Sequence, residues 1–194
     1  MKAVILLSPG IDSPVAAHLM KEKGLELIGL NFFIGNHKAV DKIAEKLGIE
    51  KVFCISHKEI LSEIKNNTNP KYACLLCKRV MYRIAEALAK KEKAEFIVTG
   101  ENLGQVASQT LDNLAVLDNA INMPILRPLL CFDKNETIKI AKQIGTYELS
   151  ENKKCLFVSK HPTTKAKLEI VEKEESKLNI IKIIDDALLN HNFK

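Results

Sequence analysis

Hydrophobic and polar positions follow two different periods along the chain, and the two periods alternate. Continuous apolar runs of strand length occupy three early segments, 2–7, 26–34 and 51–55. After each run, apolar residues recur at helical spacing, over 13–23, 38–47 and 57–64. A strand buried on both faces has a continuous apolar run, whereas one helix face has an apolar residue at every third or fourth position. The order βαβαβα predicts parallel strands with right-handed crossovers.

The rest of the chain continues this alternation. The pattern predicts helices at 72–93, 103–117 and 135–144 and strands at 95–99 and 124–126. Residues 146–162 show no period, and 163–190 return to helical spacing with many Lys and Glu residues. We therefore predict an α/β fold of three layers, Rossmann-like, with a five-stranded parallel sheet within residues 1–165. Residues 166–194 are predicted to form a helical tail that packs on this core or on the partner in a homodimer.

Three loops of this predicted fold follow strands one, four and five: residues 8–13, 100–109 and 127–134. In open parallel sheets, ligands bind at the carboxyl ends of the strands, where the strand order reverses. Because all three loops lie at this end, we expect them to meet at one rim. The topology therefore predicts a binding site built from these loops.

The first of these loops, Ser8-Pro9-Gly10-Ile11-Asp12-Ser13, joins a strand to a helix. Free backbone N–H groups and the positive end of the helix dipole make such a junction an anion site. Asp12 and Ser13 are both good N-cap residues. The loop fits neither the Gly-x4-Gly-Lys-Ser/Thr nor the Gly-x-Gly-x-x-Gly phosphate-binding pattern. By itself the stretch is equally compatible with a well-capped turn that binds nothing.

Composition narrows the class of protein. The 194 residues are 46% hydrophobic and 27% charged, which is typical of a globular protein and not of a disordered one. No apolar run approaches the roughly 20 residues of a membrane span, and the first residues lead into a strand instead of a signal peptide. We expect a cytoplasmic protein without membrane attachment. The net charge of +5 is compatible with a polyanionic partner.

The chain has five cysteines, Cys54, Cys74, Cys77, Cys131 and Cys155. In a reducing compartment, cysteines are more often buried, catalytic or metal-binding than disulfide-bonded. Cys74 and Cys77 are three residues apart at the start of a predicted helix and so share one face. This position is expected to lower the thiol pKa, which suits thiolate chemistry or metal binding. A redox pair, half of a zinc site and two buried thiols all remain compatible with the spacing.

Specific stretches of the chain resemble a known family. The loop Ser8–Ser13 resembles the Ser-Gly-Gly-x-Asp-Ser loop of the PP-loop ATP pyrophosphatases, with Pro9 in place of the first Gly. Thr99–Leu111, Leu126–Leu129 and Ser159–Lys165 are similar to segments of the tRNA 4-thiouridine synthetases (ThiI-type sulfurtransferases). The resemblance spans residues 1–165 and implies an adenine nucleotide alpha hydrolase-like fold. Pro9 removes one backbone N–H from the phosphate loop.

The resemblance implies a role for individual residues. It assigns adenosine contacts to the ends of the first two strands, namely Leu6, Leu7, Asn31 and Phe32. It assigns binding of the phosphates that leave as pyrophosphate to Ser8, Gly10, Asp12 and Ser13. Gly100 and Gln109 would line the ATP site, and Lys78 stands where bacterial members often carry an Arg that touches ATP. Lys134 matches a lysine implicated in adenylation, and Mg²⁺ would offset the phosphate charge.

The implied reaction adenylates O4 of a tRNA uridine and then replaces AMP with sulfur. Cys155 falls at the family's catalytic cysteine position. Family members that combine this cysteine with a C-x-x-C pair, such as Cys74 and Cys77 here, bind an iron–sulfur cluster through three cysteines. A [4Fe–4S] cluster held by three cysteines has one iron without a protein ligand, where sulfide could bind. A persulfide on Cys155 and a structural zinc with His161 are the alternatives. Cys131 is the reserve fourth ligand, and Cys54 is expected in the core.

Full-length members of the family also carry a ferredoxin-like region and a THUMP domain that grips tRNA. These do not occur in this sequence, so we expect tRNA to be held through a separate RNA-binding subunit. The sulfur donor would be sulfide or a cysteine desulfurase. The alternatives are sulfur insertion into an acceptor other than tRNA, and a non-catalytic nucleotide-binding or sulfur-carrier subunit.

Overall fold

The computed structural model describes residues 1–151, 155, 159 and 161–189, and the backbone of 192–193. Its sheet has the strand order β5-β4-β1-β2-β3-β6. The strands are β1 (Lys2–Leu6), β2 (Glu26–Phe33), β3 (Val52–Ser56), β4 (Phe96–Val98), β5 (Ile125–Leu126) and β6 (Asn192–Phe193). Strands β1 to β5 pair in parallel, which confirms the predicted five-stranded Rossmann-like sheet. The edge strand β6, antiparallel to β3, was not predicted.

Helices cover both faces of this sheet. They are α1 (Asp12–Glu22), α2 (Lys38–Leu47), α3 (Lys58–Asn67), α4 (Ala73–Glu92), α5 (Leu111–Asp118), α6 (Lys134–Gln143), α7 (Leu168–Glu175) and α8 (Ile180–Leu189). The prediction of a helix from Leu103 is wrong. Gly104 has a φ of +76°, which a continuing helix does not allow, and the Thr110 side chain caps α5 by accepting from the Asn113 N–H. Apolar residues at helical spacing in this loop are instead exposed, including Leu103 and Val106.

Two apolar layers pack against the two faces of the sheet. Long helix α4 packs on one face with α5 and the tail helices, and α1, α2 and α6 pack on the other. The inner strands β1 and β2 are almost wholly buried, as their continuous apolar runs predicted. Cys54 on β3 is 1% exposed and belongs to the second layer, which confirms its place in the core.

The chain first builds the sheet outward from β1 to β3 and then returns to the other side of β1 for β4 and β5. The strand order therefore reverses between β1 and β4. The loops that follow these two strands meet at this reversal, as they do in other open α/β sheets. No helix within the described residues is long and apolar enough to cross a membrane.

Candidate active site at the carboxyl ends of the strands

The loop after β1 is closed by its two serine hydroxyls. The Ser13 Oγ atom accepts from the Ser8 backbone N–H at 2.8 Å and lies 3.0 Å from the Ser8 Oγ atom. The N-cap of α1 is Ile11, so the expectation that Asp12 or Ser13 caps the helix is wrong. Ser13 is engaged within the loop, and Asp12 points to another helix. Among the described residues no side chain caps α1, and its first N–H groups remain available to an anion.

Gly100, directly after β4, lies against this loop. A Cβ atom at Gly100 would stand 2.6 Å from the Ser13 backbone N and 2.8 Å from the Asp12 carbonyl carbon. These are backbone atoms and cannot rotate away, so only glycine fits here. Gly10 differs, because a Cβ there would meet only the Ser8 Oγ atom, at 3.4 Å. The loop after β4 therefore closes one side of the predicted phosphate site.

Lys134, on another helix, contacts the same loop. It is the first residue of α6, which Asp133 caps in a capping box with Glu136. The Lys134 Nζ atom donates to the Asp12 Oδ1 atom at 2.7 Å, and both side chains keep partial access to solvent. The structure thus brings together a residue that the resemblance assigns to the phosphates and one that it assigns to adenylation.

A cavity of about 370 Å³ opens beside the loop, within the size range of small-molecule sites. It lies at the carboxyl ends of β1 and β2. Its lining combines all of the expected adenosine contacts, one expected phosphate contact and two of the expected sulfur-site cysteines: Leu6, Leu7, Asn31 and Phe32, then Ser8, then Cys77 and Cys155. A nucleotide bound in this cavity would therefore lie beside two thiols. Pro9 also lines it, and its carbonyl oxygen accepts from the Glu151 N–H at 2.7 Å.

Two buried side-chain polar atoms in the described part of the chain have no hydrogen-bond partner, the Asn31 Oδ1 atom and the Gln109 Oε1 atom. Asn31 is 2% exposed, and its amide nitrogen donates to the Leu7 carbonyl oxygen at 2.8 Å. A buried acceptor without a donor costs about 1–3 kcal/mol, so such atoms are typical of binding sites. Both residues are predicted ATP contacts. Gln109 lies in a turn (Ala107–Gln109) outside the cavity lining.

Lys78 is held by Glu101, a residue that the site prediction did not include. The Glu101 carboxylate accepts from the Lys78 Nζ atom and from the Arg127 Nε atom, both at 2.8 Å, and from the Tyr82 hydroxyl. Burial would raise the pKa of Glu101, but the charge of Lys78 and these three hydrogen bonds outweigh burial and lower the pKa to about 2. This network joins α4 to the ends of β4 and β5. The sequence feature that could have identified Glu101 is its position just after a predicted strand.

The three cysteines of the predicted sulfur site lie on α4 and on the segment after α6. Cys74 and Cys77 are in the first two turns of α4, and Cys155 is exposed. Burial, followed by the charges of Cys155 and Cys74, raises the pKa of Cys77 to about 12. Burial also raises the pKa of Cys74 and outweighs a hydrogen bond from the Ser159 backbone, which would lower this pKa. The expected lowering of the thiol pKa is wrong for the metal-free chain, because loss of water around a thiolate outweighs the helix dipole.

His57 is a second residue of this site that the sequence did not single out. Its Nε2 atom lies 3.1 Å from the Cys77 Sγ atom, and it lines the same cavity. Burial lowers the pKa of His57 to about 4. The two candidates named for a fourth ligand, Cys131 and His161, are both exposed and lie outside this cavity lining in the described chain.

The spacing of the three thiols differs from that of ligands on one tetrahedral zinc ion. Four ligands of one tetrahedral zinc would place sulfur atoms ~3.8 Å apart. Within the described residues, one set of three possible metal ligands has all its ligand atoms within 4.8 Å of one another, and it consists of His37, Asp41 and Cys54. The three predicted ligand cysteines form no such set. Thiolates on different irons stand further apart than thiolates on one metal. At least two of the three sulfur atoms therefore stand further apart than the ligands of one zinc ion, a spacing that a multi-iron cluster allows.

The fold and the loop at the strand reversal define a PP-loop ATP pyrophosphatase domain. The chain belongs to the family described as "Thiamine biosynthesis protein (ThiI)", whose sequence model matches residues 1–180. It is 44% identical over 192 residues to a probable tRNA sulfurtransferase of Methanocaldococcus jannaschii, covering 93% of this chain and 50% of that protein. A protein of the same description from Acetivibrio thermocellus is 40% identical over 203 residues, covering 97% and 52%. The chain spans about half the length of these relatives.

Solved structures agree with this assignment. A 4-thiouridine synthetase in complex with RNA and ATP superposes on the whole chain with a TM-score of 0.93 and 34% identity, and the chain covers 54% of it. NMN synthetase of Francisella tularensis has a TM-score of 0.59 at 19% identity, over 94% of this chain and 75% of that protein. The second likeness concerns the fold alone. The predicted family and fold class are confirmed.

Proposed function

We propose that the chain is the catalytic domain of an ATP-dependent tRNA sulfurtransferase that converts uridine to 4-thiouridine. The observation that carries the proposal is the shared cavity at the strand ends, which is lined both by predicted adenosine contacts and by Cys77 and Cys155. Activation of a base and delivery of sulfur require the nucleotide and the sulfur site to be adjacent. The relatives described as tRNA sulfurtransferases support tRNA as the acceptor.

In the first half-reaction, O4 of the uracil attacks the α-phosphorus of ATP, and pyrophosphate leaves. The open N-terminus of α1 and the Ser8 and Ser13 hydroxyls hold the phosphates, and Asn31 receives a hydrogen bond from the adenosine at its unpartnered Oδ1 atom. Lys134 leaves Asp12 and neutralises charge on the phosphates. The Asp12 carboxylate, an oxygen donor, would then hold Mg²⁺, which would stabilise the departing pyrophosphate.

In the second half-reaction, sulfur replaces AMP at C4 of the uracil. Cys74, Cys77 and Cys155 would hold an iron–sulfur cluster, which would supply an iron with an open position for incoming sulfide. A persulfide on Cys155 is the alternative, and Cys155 is exposed enough to accept sulfur from a cysteine desulfurase. The chain's own contribution is to keep this sulfur beside the adenylated base. The reaction would take place in the cytoplasm, where tRNA and ATP are present.

The acceptor is the part of the proposal that depends on regions outside this chain. The relatives are about twice as long, and a region beyond the residues described, in the same chain or in another subunit, would present tRNA to this domain. Sulfur insertion into a small-molecule acceptor is the second candidate, because the family description names thiamine biosynthesis. The two candidates share the ATP and sulfur sites and differ only in what enters the cavity.

An anaerobic preparation tests the proposal in two measurements. Iron and sulfide content are measured for the wild type and for Cys74→Ala, Cys77→Ala and Cys155→Ala, with the exposed Cys131→Ala as the control. We expect the first three variants to lose iron and the control to keep it. Release of AMP and pyrophosphate is then measured with sulfide and with unmodified tRNA, and thiolated uridine is detected by mass spectrometry. ATP turnover that requires a small molecule and not tRNA would favour the second candidate, and no turnover with either would favour a non-catalytic subunit.

A further inference from the structure

His57 lines the cavity between Phe32, an expected adenosine contact, and Cys77, an expected sulfur-site cysteine. It lies at the junction of β3 and α3 and is 7% exposed. Its backbone N–H donates to the Phe33 carbonyl oxygen at 2.9 Å. Its ring packs edge-on against Phe32, with the ring centroids 5.2 Å apart. Because backbone and ring are both held, the Nε2 atom of His57 has one defined neighbour.

That neighbour is the sulfur of Cys77, 3.1 Å from the Nε2 atom. The distance is that of a hydrogen bond. Two ligands on the same tetrahedral metal would stand ~3.6 Å apart, given metal–sulfur and metal–nitrogen bonds of about 2.3 and 2.1 Å. A cysteine that binds a metal is a thiolate and has no proton to give, so the hydrogen of this bond must then come from the imidazole.

We infer that His57 is a positioning residue that donates its Nε2–H to the Cys77 thiolate, keeps this sulfur directed into the cavity and raises the reduction potential of the bound cluster. This inference rests on the proposed function, since it concerns the cluster proposed there. A hydrogen bond to a ligating sulfur withdraws electron density and so favours the reduced cluster. His57 thereby takes part in the sulfur site without being a ligand.

The hydrogen bond is tested first in the full chain without metal, so that the result does not depend on a cluster. Two-bond ¹H–¹⁵N NMR correlations of the histidine rings report which nitrogen carries the proton. We expect the Cys77→Ala variant to shift the Nε2 resonance of His57, because the ring contacts this sulfur in the metal-free thiol as well. An unchanged Nε2 resonance in Cys77→Ala would overturn the contact on which the inference rests, and the two variants of the loaded protein test the direction of donation.

The effect on the cluster is tested with two variants of the anaerobically loaded protein. His57→Phe keeps a ring against Phe32 and removes the donor, whereas His57→Gln keeps an N–H at the same distance from the backbone. We expect His57→Phe to lower the reduction potential with full iron content, and His57→Gln to restore most of it. His18→Phe, on α1 away from the cavity, is the control and should leave the potential unchanged.

The remaining outcomes are distinct. An equal potential in His57→Phe and in the wild type would mean that the ring only packs, and this would overturn the inference while leaving the proposed function intact. Loss of iron from both His57 variants, as in Cys77→Ala, would make His57 a ligand and would also overturn it. Absence of iron from the wild type would contradict the proposed cluster and the tuning of its potential, and the NMR result would still decide whether the hydrogen bond exists.

Discussion

The ammonium group of Lys134 and the carboxylate of Asp12 lie 2.7 Å apart and join the starts of two helices that are 122 residues apart in the chain. The pair is half exposed to water, with 43% of the Lys134 side chain accessible. Exposed ion pairs contribute about 0–1 kcal/mol to stability. The pair therefore holds both side chains at the phosphate loop without being needed for the fold, and this makes it suitable for functional tests.

We expect Asp12→Ala to reduce pyrophosphate release at least 10²-fold, because a group that holds the phosphates or Mg²⁺ acts on the transition state. Its free energy of unfolding should change by no more than about 1 kcal/mol, since the lost ion pair is exposed. Lys134→Met should behave similarly. Lys139 is exposed on α6, the helix that carries Lys134, and Lys139→Ala is the control. It should retain wild-type release of pyrophosphate. Normal pyrophosphate release by Asp12→Ala would remove the loop from the mechanism.

The position of this loop was predictable from the sequence, because the strands are short, apolar and separated by helices. Such an order admits few topologies, and in those the loops after β1 and β4 converge. The roles of single residues within the loop were less predictable. Asp12 and Ser13 are both favoured N-cap residues, yet Ile11 is the N-cap, because Lys134 and Ser8 bind the two side chains instead.

His57 and the pKa of the cysteines were beyond sequence analysis for a physical reason. A histidine after a strand carries no motif, and its contact with Cys77 depends on how α4 packs against the end of β3. Spacing placed Cys77 near a helix start, where a low pKa is expected, but spacing does not report burial. Both properties arise from tertiary packing and not from the local pattern.

Gly100 is expected to tolerate no side chain. In Gly100→Ala the new Cβ would overlap the backbone of Ser13 and Asp12, and the loop or β4 would have to move. Overpacking of this kind costs about 1–3 kcal/mol, so we expect a lower melting temperature together with weaker ATP binding. In Gly10→Ala the added atom meets only a hydroxyl at 3.4 Å, so its melting temperature should stay near that of the wild type. Equal melting temperatures for the two variants would contradict the close approach of Gly100.

The pKa of Glu101 predicts a loss of stability in acid. The pKa is about 2 in the folded chain, where Lys78 and three hydrogen bonds outweigh burial, against an ordinary value of 4.5. The unfolded chain therefore binds the proton more readily. The contribution is complete above about pH 5 and is lost as the pH falls from there toward 2, by about 3 kcal/mol in total.

Chemical denaturation of the wild type and Glu101→Gln between pH 3 and 7 measures this contribution. We expect Glu101→Gln to be less stable at neutral pH, because it removes the buried carboxylate that Lys78 and Arg127 share. Its stability should also fall less steeply between pH 5 and pH 3 than that of the wild type. Parallel curves for the two proteins would mean that Glu101 has an ordinary pKa in the folded state.

The tail helix α7 is expected to be required for stability, because Glu175 anchors it to α4. Its carboxylate accepts from the Arg79 Nη2 atom at 2.7 Å and from the Arg83 Nη2 atom at 2.8 Å. Arg79 is 1% exposed, so removal of its partner leaves a buried charge unpaired. Breaking such a pair costs about 3–5 kcal/mol, and we expect Glu175→Ala to lose this much free energy of unfolding.

Exposed Glu172→Ala, on the same helix, is the control and should lie within about 0.5 kcal/mol of the wild type. Sedimentation of both variants separates a tail that packs on its own core from one that packs on a second subunit. In the first case Glu175→Ala changes the melting temperature and not the molecular mass, because the broken contact lies within one chain. The wild type could instead sediment as a dimer that Glu175→Ala dissociates into a monomer of unchanged melting temperature. That result would contradict the anchoring of α7 on the α4 helix of its own chain.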